Sequence, residues 1–212
     1  MSNPDTAAAR IVDLYKRHAM LWDESRGRSL FEKPWLDRFL RRVPAGGTIL
    51  DVGCGSGEPF ARHFVNGGYR VTGVDSSERL IALCRDRMPR EDWQVADMRE
   101  LALGRTFDAV LAWDSLFHLT AEYQRAMFAV FRVHAAPGAA LIFTSGPAHG
   151  VAIGEFGGEP LYHASLAPEE YRSLLTENGF DVVDHKIEDP DCGGHTIWLA
   201  RKTARQREGN AG

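Results

Sequence analysis

Ile49-Leu50-Asp51-Val52-Gly53-Cys54-Gly55-Ser56-Gly57 reads as a buried strand that ends in three alternating glycines. Glycine reaches left-handed backbone without a Cβ penalty, so such a turn lets a ligand lie on bare main chain. One helix length further on, residues 70–74 repeat the strand pattern and deliver Asp75 at their carboxyl end. A carboxylate there accepts two ribose hydroxyls, and the pair describes a nucleoside half-site at the carboxyl edge of a parallel sheet. A dinucleotide fingerprint carries a further glycine where this chain has Glu58, followed by Pro59. An anion at that helix start repels a pyrophosphate, although it suits the helix dipole. A ligand with a positive centre and no phosphates fits better.

Working outward, strand-like and helix-like patterns alternate from residue 47 to residue 145, which predicts a parallel sheet covered on both faces. Strands are expected at 48–52, 70–74, 92–95, 107–112 and 140–144, with helices at 59–66, 77–86 and 121–135. Thr120 is the N-cap of the last of these helices, and Pro137-Gly138 stops it. From Ser145 to Ser165 the alternation pauses in a segment rich in Gly, His and Pro, the mark of a lid or binding loop. A helix from Pro168, ended by Gly179, and strands at 180–187 and 196–201 complete the pattern.

At residues 50–57 the chain resembles the class I S-adenosylmethionine-dependent methyltransferases, whose first motif has the form Leu50-Asp51-Val52-Gly53-Cys54-Gly55-Ser56-Gly57. The resemblance covers about residues 47–201. It implies an α/β, doubly wound, Rossmann-like sheet of seven strands, mostly parallel, with the last one antiparallel. It also implies S-adenosylmethionine as cofactor. The turn Gly53, Cys54, Gly55 and Gly57 would then lie against the methionine part, with Asp51 near that end. Asp75 would take the ribose, with Ser76 beside it. Asp97 matches the acidic position for the adenine amino group, with Met98 on the ring, although Asp97 could equally cap the following turn. Ala112 and Trp113, at the end of the fourth strand, should run beside the sulfonium, to which an aromatic face is attractive. Trp113 reads as well as a core residue.

Before the first strand, residues 7–22 and 34–42 are amphipathic and too short to form a domain alone. Tyr15, His18 and Trp22 share one helical face, and residues 1–46 are expected to form a lid that brings Tyr15 and Trp22 over the cofactor, with the domain proper at 47–203. Arg17 and Arg26 stand near enough in sequence to offer a guanidinium to the cofactor carboxylate. His118 follows the fourth strand on the substrate side, and its ordinary pKa near neutrality makes it the expected general base. Phe117, His149, Tyr162, His163, Asp191 and His195 are the expected lining of an acceptor pocket, since loops carry specificity on such folds. No ligand spacing supports a metal among His163, Asp191 and His195.

Composition bounds the rest. The chain has 212 residues, 44% of them apolar, enough for one sizeable core. A net charge of −4 gives no broad basic surface, so a small-molecule acceptor is expected rather than nucleic acid. Three scattered cysteines imply a reduced, cytoplasmic setting without zinc. No targeting segment or stretch of roughly twenty apolar residues suited to a bilayer is read. The polar tail at 204–212 is expected to be flexible.

Overall fold

A computed structural model describes residues 4–204. Four helices come first: α1 (Pro4–Ala9), α2 (Ile11–Arg17), α3 (Ala19–Ser25) and α4 (Lys33–Leu40). The alternating region follows as β1 (Thr48–Val52), α5 (Phe60–Asn66), β2 (Arg70–Asp75), α6 (Glu78–Arg87), β3 (Asp92–Val95), β4 (Phe107–Ala112), α7 (Ala121–His134) and β5 (Ala135–Ser145). The remainder is β6 (Gly150–Phe156), β7 (Glu159–Ser165), α8 (Pro168–Glu177), β8 (Phe180–Asp189) and β9 (His195–Lys202).

Seven strands form one sheet in the order β3-β2-β1-β4-β5-β9-β8. The pairs among β1 to β5 are parallel, and β9 runs antiparallel to both β5 and β8. This is the doubly wound arrangement that the sequence predicts. Successive strand residues point to opposite faces, and both faces are covered. Ala109 and Leu111 of β4 and Ile142 of β5 enter one core with Trp35, Phe39 and Phe64. Val110, Ala112 and Phe143 enter the other, with Phe128, Phe131 and Trp198. The strand order reverses between β1 and β4, and ligands bind at that crevice on sheets of this kind.

Four expectations change. α7 ends at His134, and Pro137-Gly138 lie inside β5 rather than at the helix stop. The single amphipathic segment 7–22 is broken at Arg10 and His18 into α1, α2 and α3. Thr120 occupies the N-cap position of α7, but its hydroxyl makes no capping hydrogen bond. Residues 145–165 are not a loop: β6 and β7 pair antiparallel through the two-residue turn Gly157-Gly158, outside the main sheet. The expected flexible tail lies outside the described residues beyond Ala204.

Candidate functional site

β1 ends at Val52, and the turn that follows is fixed by neighbouring strand β2. The amides of Gly53 and Cys54 both donate to the Val74 carbonyl, at 2.8 and 3.0 Å. Gly53, Gly55 and Gly57 all adopt positive φ, which only glycine enters freely. Their surroundings differ. A Cβ on Gly53 would meet Ser115 at 2.4 Å, and one on Gly55 would meet the Trp22 ring at 2.3 Å. A Cβ on Gly57 would strike Met88, Cys84 and Trp93 instead, so this glycine serves helix packing and does not face the cleft.

A cleft enclosing about 690 Å³, mouth included, opens at the switch point. Its walls are Gly53, Gly55, Asp75 and Ser76 on the turn side, and Ala96, Asp97 and Met98 beyond β3. Asp114, Ser115 and His118 follow β4, while Tyr15 and Trp22 come from the N-terminal helices. Asp75 Oδ2 accepts from the Gly55 amide at 3.0 Å and Oδ1 from the Ser77 amide at 2.8 Å. Burial raises its pKa, and these amides oppose the rise. Two amides leave lone pairs of the carboxylate available to a ligand in the cleft. Asp97 caps the short 3-10 turn Met98–Glu100 through the Arg99 amide and is also paired with the Arg99 guanidinium. That hydrogen bond holds its carboxyl below the ordinary range.

Several expected site residues lie elsewhere. Cys54 turns its thiol into the core, where it donates to the Gly55 carbonyl at 3.6 Å. Ala112 is wholly buried in the core behind β4, because its side chain takes the strand face opposite to Trp113. Trp113 is buried against Phe60 and His195, ring centroids 5.5 Å apart in each case, and does not reach the cleft. Asp51 is buried beneath the turn, outside the cleft lining, and burial together with the neighbouring Asp75 pushes its pKa up to about 7. Arg17 pairs with Glu159 and Arg26 with Glu32, so neither guanidinium lines the cleft.

His118 lines the cleft, but not as a free base. Its Nδ1 donates to the Tyr162 carbonyl at 2.9 Å, which leaves Nε2 to accept from the Tyr15 hydroxyl at 2.8 Å. Burial lowers its pKa to about 4, so the ring is neutral at physiological pH. Tyr162 contributes this carbonyl alone, since its side chain packs under α1 beside Ala7. His149 and Asp191 are exposed and line neither this cleft nor the hollow walled by Phe117 and His163. Phe117 and His163 do meet, with centroids 5.3 Å apart, in a second hollow of about 650 Å³ between the end of β5 and the hairpin β6–β7. Among the described residues no group of three or more His, Cys, Asp or Glu side chains is arranged to hold a metal ion.

The residue that sequence reasoning missed is Asp114. It is non-glycine with φ of 49°, a left-handed conformation, and its amide donates to Thr144 Oγ1 at 2.9 Å. His195 reaches its carboxylate from the start of β9 at 3.0 Å. His195 Nδ1 already donates to the Cys192 carbonyl at 2.7 Å, so Nε2 can meet a carboxylate as donor only if the ring is protonated. Burial disfavours that cation, but the hydrogen bond and charge of Asp114 outweigh it, and the pKa of His195 rises. Two histidines beside one cleft are thus pushed in opposite directions, His118 toward the neutral ring and His195 toward the cation.

The N-terminal helices are tied to this edge at three points. Asp23 on α3 makes a two-pronged ion pair with Arg87 of α6, both contacts at 2.7 Å, which keeps its carboxyl well below the ordinary range. Tyr15 on α2 is bonded to His118. Arg17 and His18 both reach Glu159 at the start of β7, at 2.6 and 2.7 Å.

Comparison with known proteins agrees with this geometry. Residues 49–138 match the methyltransferase domain family. The dTDP-3-amino-3,6-dideoxy-alpha-D-glucopyranose N,N-dimethyltransferase of Streptomyces fradiae is 32% identical over 166 residues, which are 72% of this chain and 62% of that protein. The dTDP-3-amino-3,4,6-trideoxy-alpha-D-glucopyranose N,N-dimethyltransferase of Streptomyces venezuelae is 34% identical over 103 residues, 48% of this chain and 43% of that protein. The chain spans less than two thirds of the length of these relatives. Among solved structures, Burkholderia thailandensis 1,6-didemethyltoxoflavin-N1-methyltransferase, with bound 1,6-didemethyltoxoflavin and S-adenosylhomocysteine, has a TM-score of 0.73 at 20% identity. That likeness covers 96% of this chain and 92% of the other, and it speaks for the fold. The fold is the one this chain shares with those methyltransferases, and residues 49–138 are similar to a methyltransferase domain.

Proposed function

We propose that the chain transfers the methyl group of S-adenosylmethionine to a small-molecule acceptor and releases S-adenosylhomocysteine. The observation that carries this reading is the cleft at the switch point, where bare glycine backbone and a prearranged Asp75 carboxylate face the same space. The donors and acceptors there suit a nucleoside. Asp75 has lone pairs for the ribose hydroxyls, and Leu80 and Met98 supply apolar surface beside Asp97 for the base. Glu58 is paired with Arg62 at 3.0 Å at the start of α5, which is no cradle for a pyrophosphate and disfavours a nicotinamide dinucleotide.

When bound, the cofactor supplies a sulfonium-activated methyl group, which passes to a nucleophilic atom of the acceptor while the thioether leaves. The protein's part is alignment and exclusion of water. Tyr15 and Trp22 close the cleft from the helix side, so the described residues ahead of β1 serve as its lid. His118 acts as a positioning residue: its neutral ring fixes the Tyr15 hydroxyl and is itself fixed by the Tyr162 carbonyl. The hollow walled by Phe117 and His163 lies beside His118, whose ring centroid is 4.9 Å from that of His163, and we assign the acceptor to it. The names of the relatives, two N,N-dimethyltransferases of dTDP-linked amino sugars and a methyltransferase with bound 1,6-didemethyltoxoflavin, support a small-molecule acceptor. No described helix is long and apolar enough to cross a membrane. A cytoplasmic location without a nucleic-acid partner accords with that and with the net charge of −4.

Calorimetry with S-adenosylmethionine and S-adenosylhomocysteine tests the reading. The wild-type chain should bind both and not NAD, and Asp75→Ala should weaken both by about 1–3 kcal/mol, the scale of hydrogen bonds to a charged group. Unchanged affinity in that variant would remove the aspartate from the site. Incubation of methyl-labelled cofactor with a metabolite extract then separates an enzyme, which moves label into a product, from a binding module, which does not.

A further inference from the structure

Asp114 lines the cleft, and nucleoside binding by Asp75 does not require it. A left-handed backbone is uncommon at a non-glycine residue, and Asp and Asn are the ones that tolerate it best. Here Thr144 enforces it, accepting from the Asp114 amide and approaching Oδ1 from its hydroxyl at 3.4 Å. The result is a carboxylate about one third exposed toward the cleft, with His195 behind it and outside the cleft lining. Asp114 is thus a cleft anion, and its counter-cation is withdrawn into the wall between Trp113 and Phe31.

Position within the cleft gives this charge a use. A nucleoside held by Asp75, with its base toward Asp97 and Met98, leaves the remaining wall for the substituent on the ribose. That wall is Gly53, which touches Ser115, and then Asp114. Tyr15 marks the same path, because after burial the two charges that raise its pKa are those of Asp114 and Asp75. The only formal difference between the methyl donor and its demethylated product lies on that substituent, which is a sulfonium cation in one and a neutral thioether in the other. Resting on the methyltransferase reading, we infer that Asp114 is a charge-reading residue that favours S-adenosylmethionine over S-adenosylhomocysteine, and that His195 sets the strength of that preference from behind.

The two residues then have opposite signs. Removing the Asp114 charge lowers the preference for the sulfonium, whereas removing the His195 charge exposes the full field of the carboxylate and raises it. Asn tolerates left-handed backbone as Asp does, so Asp114→Asn changes the charge and keeps the turn. His195→Gln keeps a donor beside Asp114 without the charge.

Titration calorimetry of both nucleosides into the wild-type chain and the two variants decides the matter, with the dissociation-constant ratio of S-adenosylhomocysteine to S-adenosylmethionine as readout. That ratio should fall about five- to tenfold in Asp114→Asn, the size of one partly screened charge contact, and rise in His195→Gln. A merely structural role would weaken both ligands together in both variants and leave the ratio unchanged. That outcome overturns the inference, as does a ratio that moves in the same direction in both variants. A wild-type chain that binds neither nucleoside defeats the methyltransferase reading itself, and the two failures are told apart by that first titration.

Discussion

Asp51 shows how one residue of the glycine motif affects stability. It is buried, and desolvation plus the nearby Asp75 charge raise its pKa from 3.8 to about 7. An acid whose folded pKa exceeds its unfolded value lends its full stability below the unfolded value, and loses it as pH rises through the folded one. The window is therefore about pH 4 to 7, and the total loss is about 4 kcal/mol at most. Asp51→Asn removes the titration while keeping the shape. Its gain over wild type in urea melts should be larger at pH 8 than at pH 5 by about 2.5 kcal/mol. Equal gains at the two pH values would show that Asp51 does not ionise in this window. Residue by residue, strand ends placed Gly53, Gly55, Asp75 and Ser76 at the cleft, and the family resemblance placed Asp97 and Met98 there. Asp114 was not legible, since its role depends on a backbone twist and on a partner 81 residues away. Trp113 and Ala112 were misplaced for a related reason: strand alternation continues through them, so both side chains enter the two cores.

At the scale of elements, the hairpin β6–β7 is the part of the fold that the sequence concealed. Val151 and Ile153 are exposed on a strand that no sheet covers, so hydrophobic alternation does not mark it. The readable signal was the turn. Gly157 and Gly158 have φ of 62° and 79°, and two residues of positive φ between paired Phe156 and Glu159 are the connection that matches strand twist. Gly157 has a second duty, because a Cβ there would meet the His18 ring at 2.7 Å. Gly157→Ala should therefore push His18 away from Glu159 and loosen the hairpin from α2. Hydrogen exchange of residues 11–25 is expected to accelerate in this variant while exchange in β1, β2 and β4 stays as in wild type. Gly158→Ala supplies the control, since its Cβ would meet nothing within 4 Å and tests turn strain alone. Equal acceleration in the two variants would assign the effect to the turn rather than to contact with His18.

At the scale of the whole molecule, the cleft is roofed by α2 and α3, which carry Tyr15 and Trp22, and the hairpin braces that roof from outside the cleft lining. α2 and α3 precede β1, the hairpin follows β5, and they meet one another through Arg17, His18 and Glu159. Glu159 is only partly buried and Arg17 is exposed, so these pairs hold weakly. The firmer tie is Asp23 with Arg87, which anchors α3 to α6 next to the cleft. α2 lies between the firm tie and the weak one, and it carries Tyr15. A roof with this distribution of strength opens by release of α2 and the hairpin while α3 stays seated, so nucleoside entry needs only local opening. Ligand binding shifts such an equilibrium by its differential affinity for the closed form. At a hundredfold excess over its dissociation constant, S-adenosylhomocysteine should add about 2.7 kcal/mol to global stability. Exchange should slow in residues 11–18 and 150–165, but little in 19–25, where the Asp23–Arg87 pair already protects the backbone. Uniform slowing across 11–25 would mean that the three N-terminal helices move as one rigid flap hinged ahead of α4, and the Asp23–Arg87 pair would then have to break for the cofactor to enter.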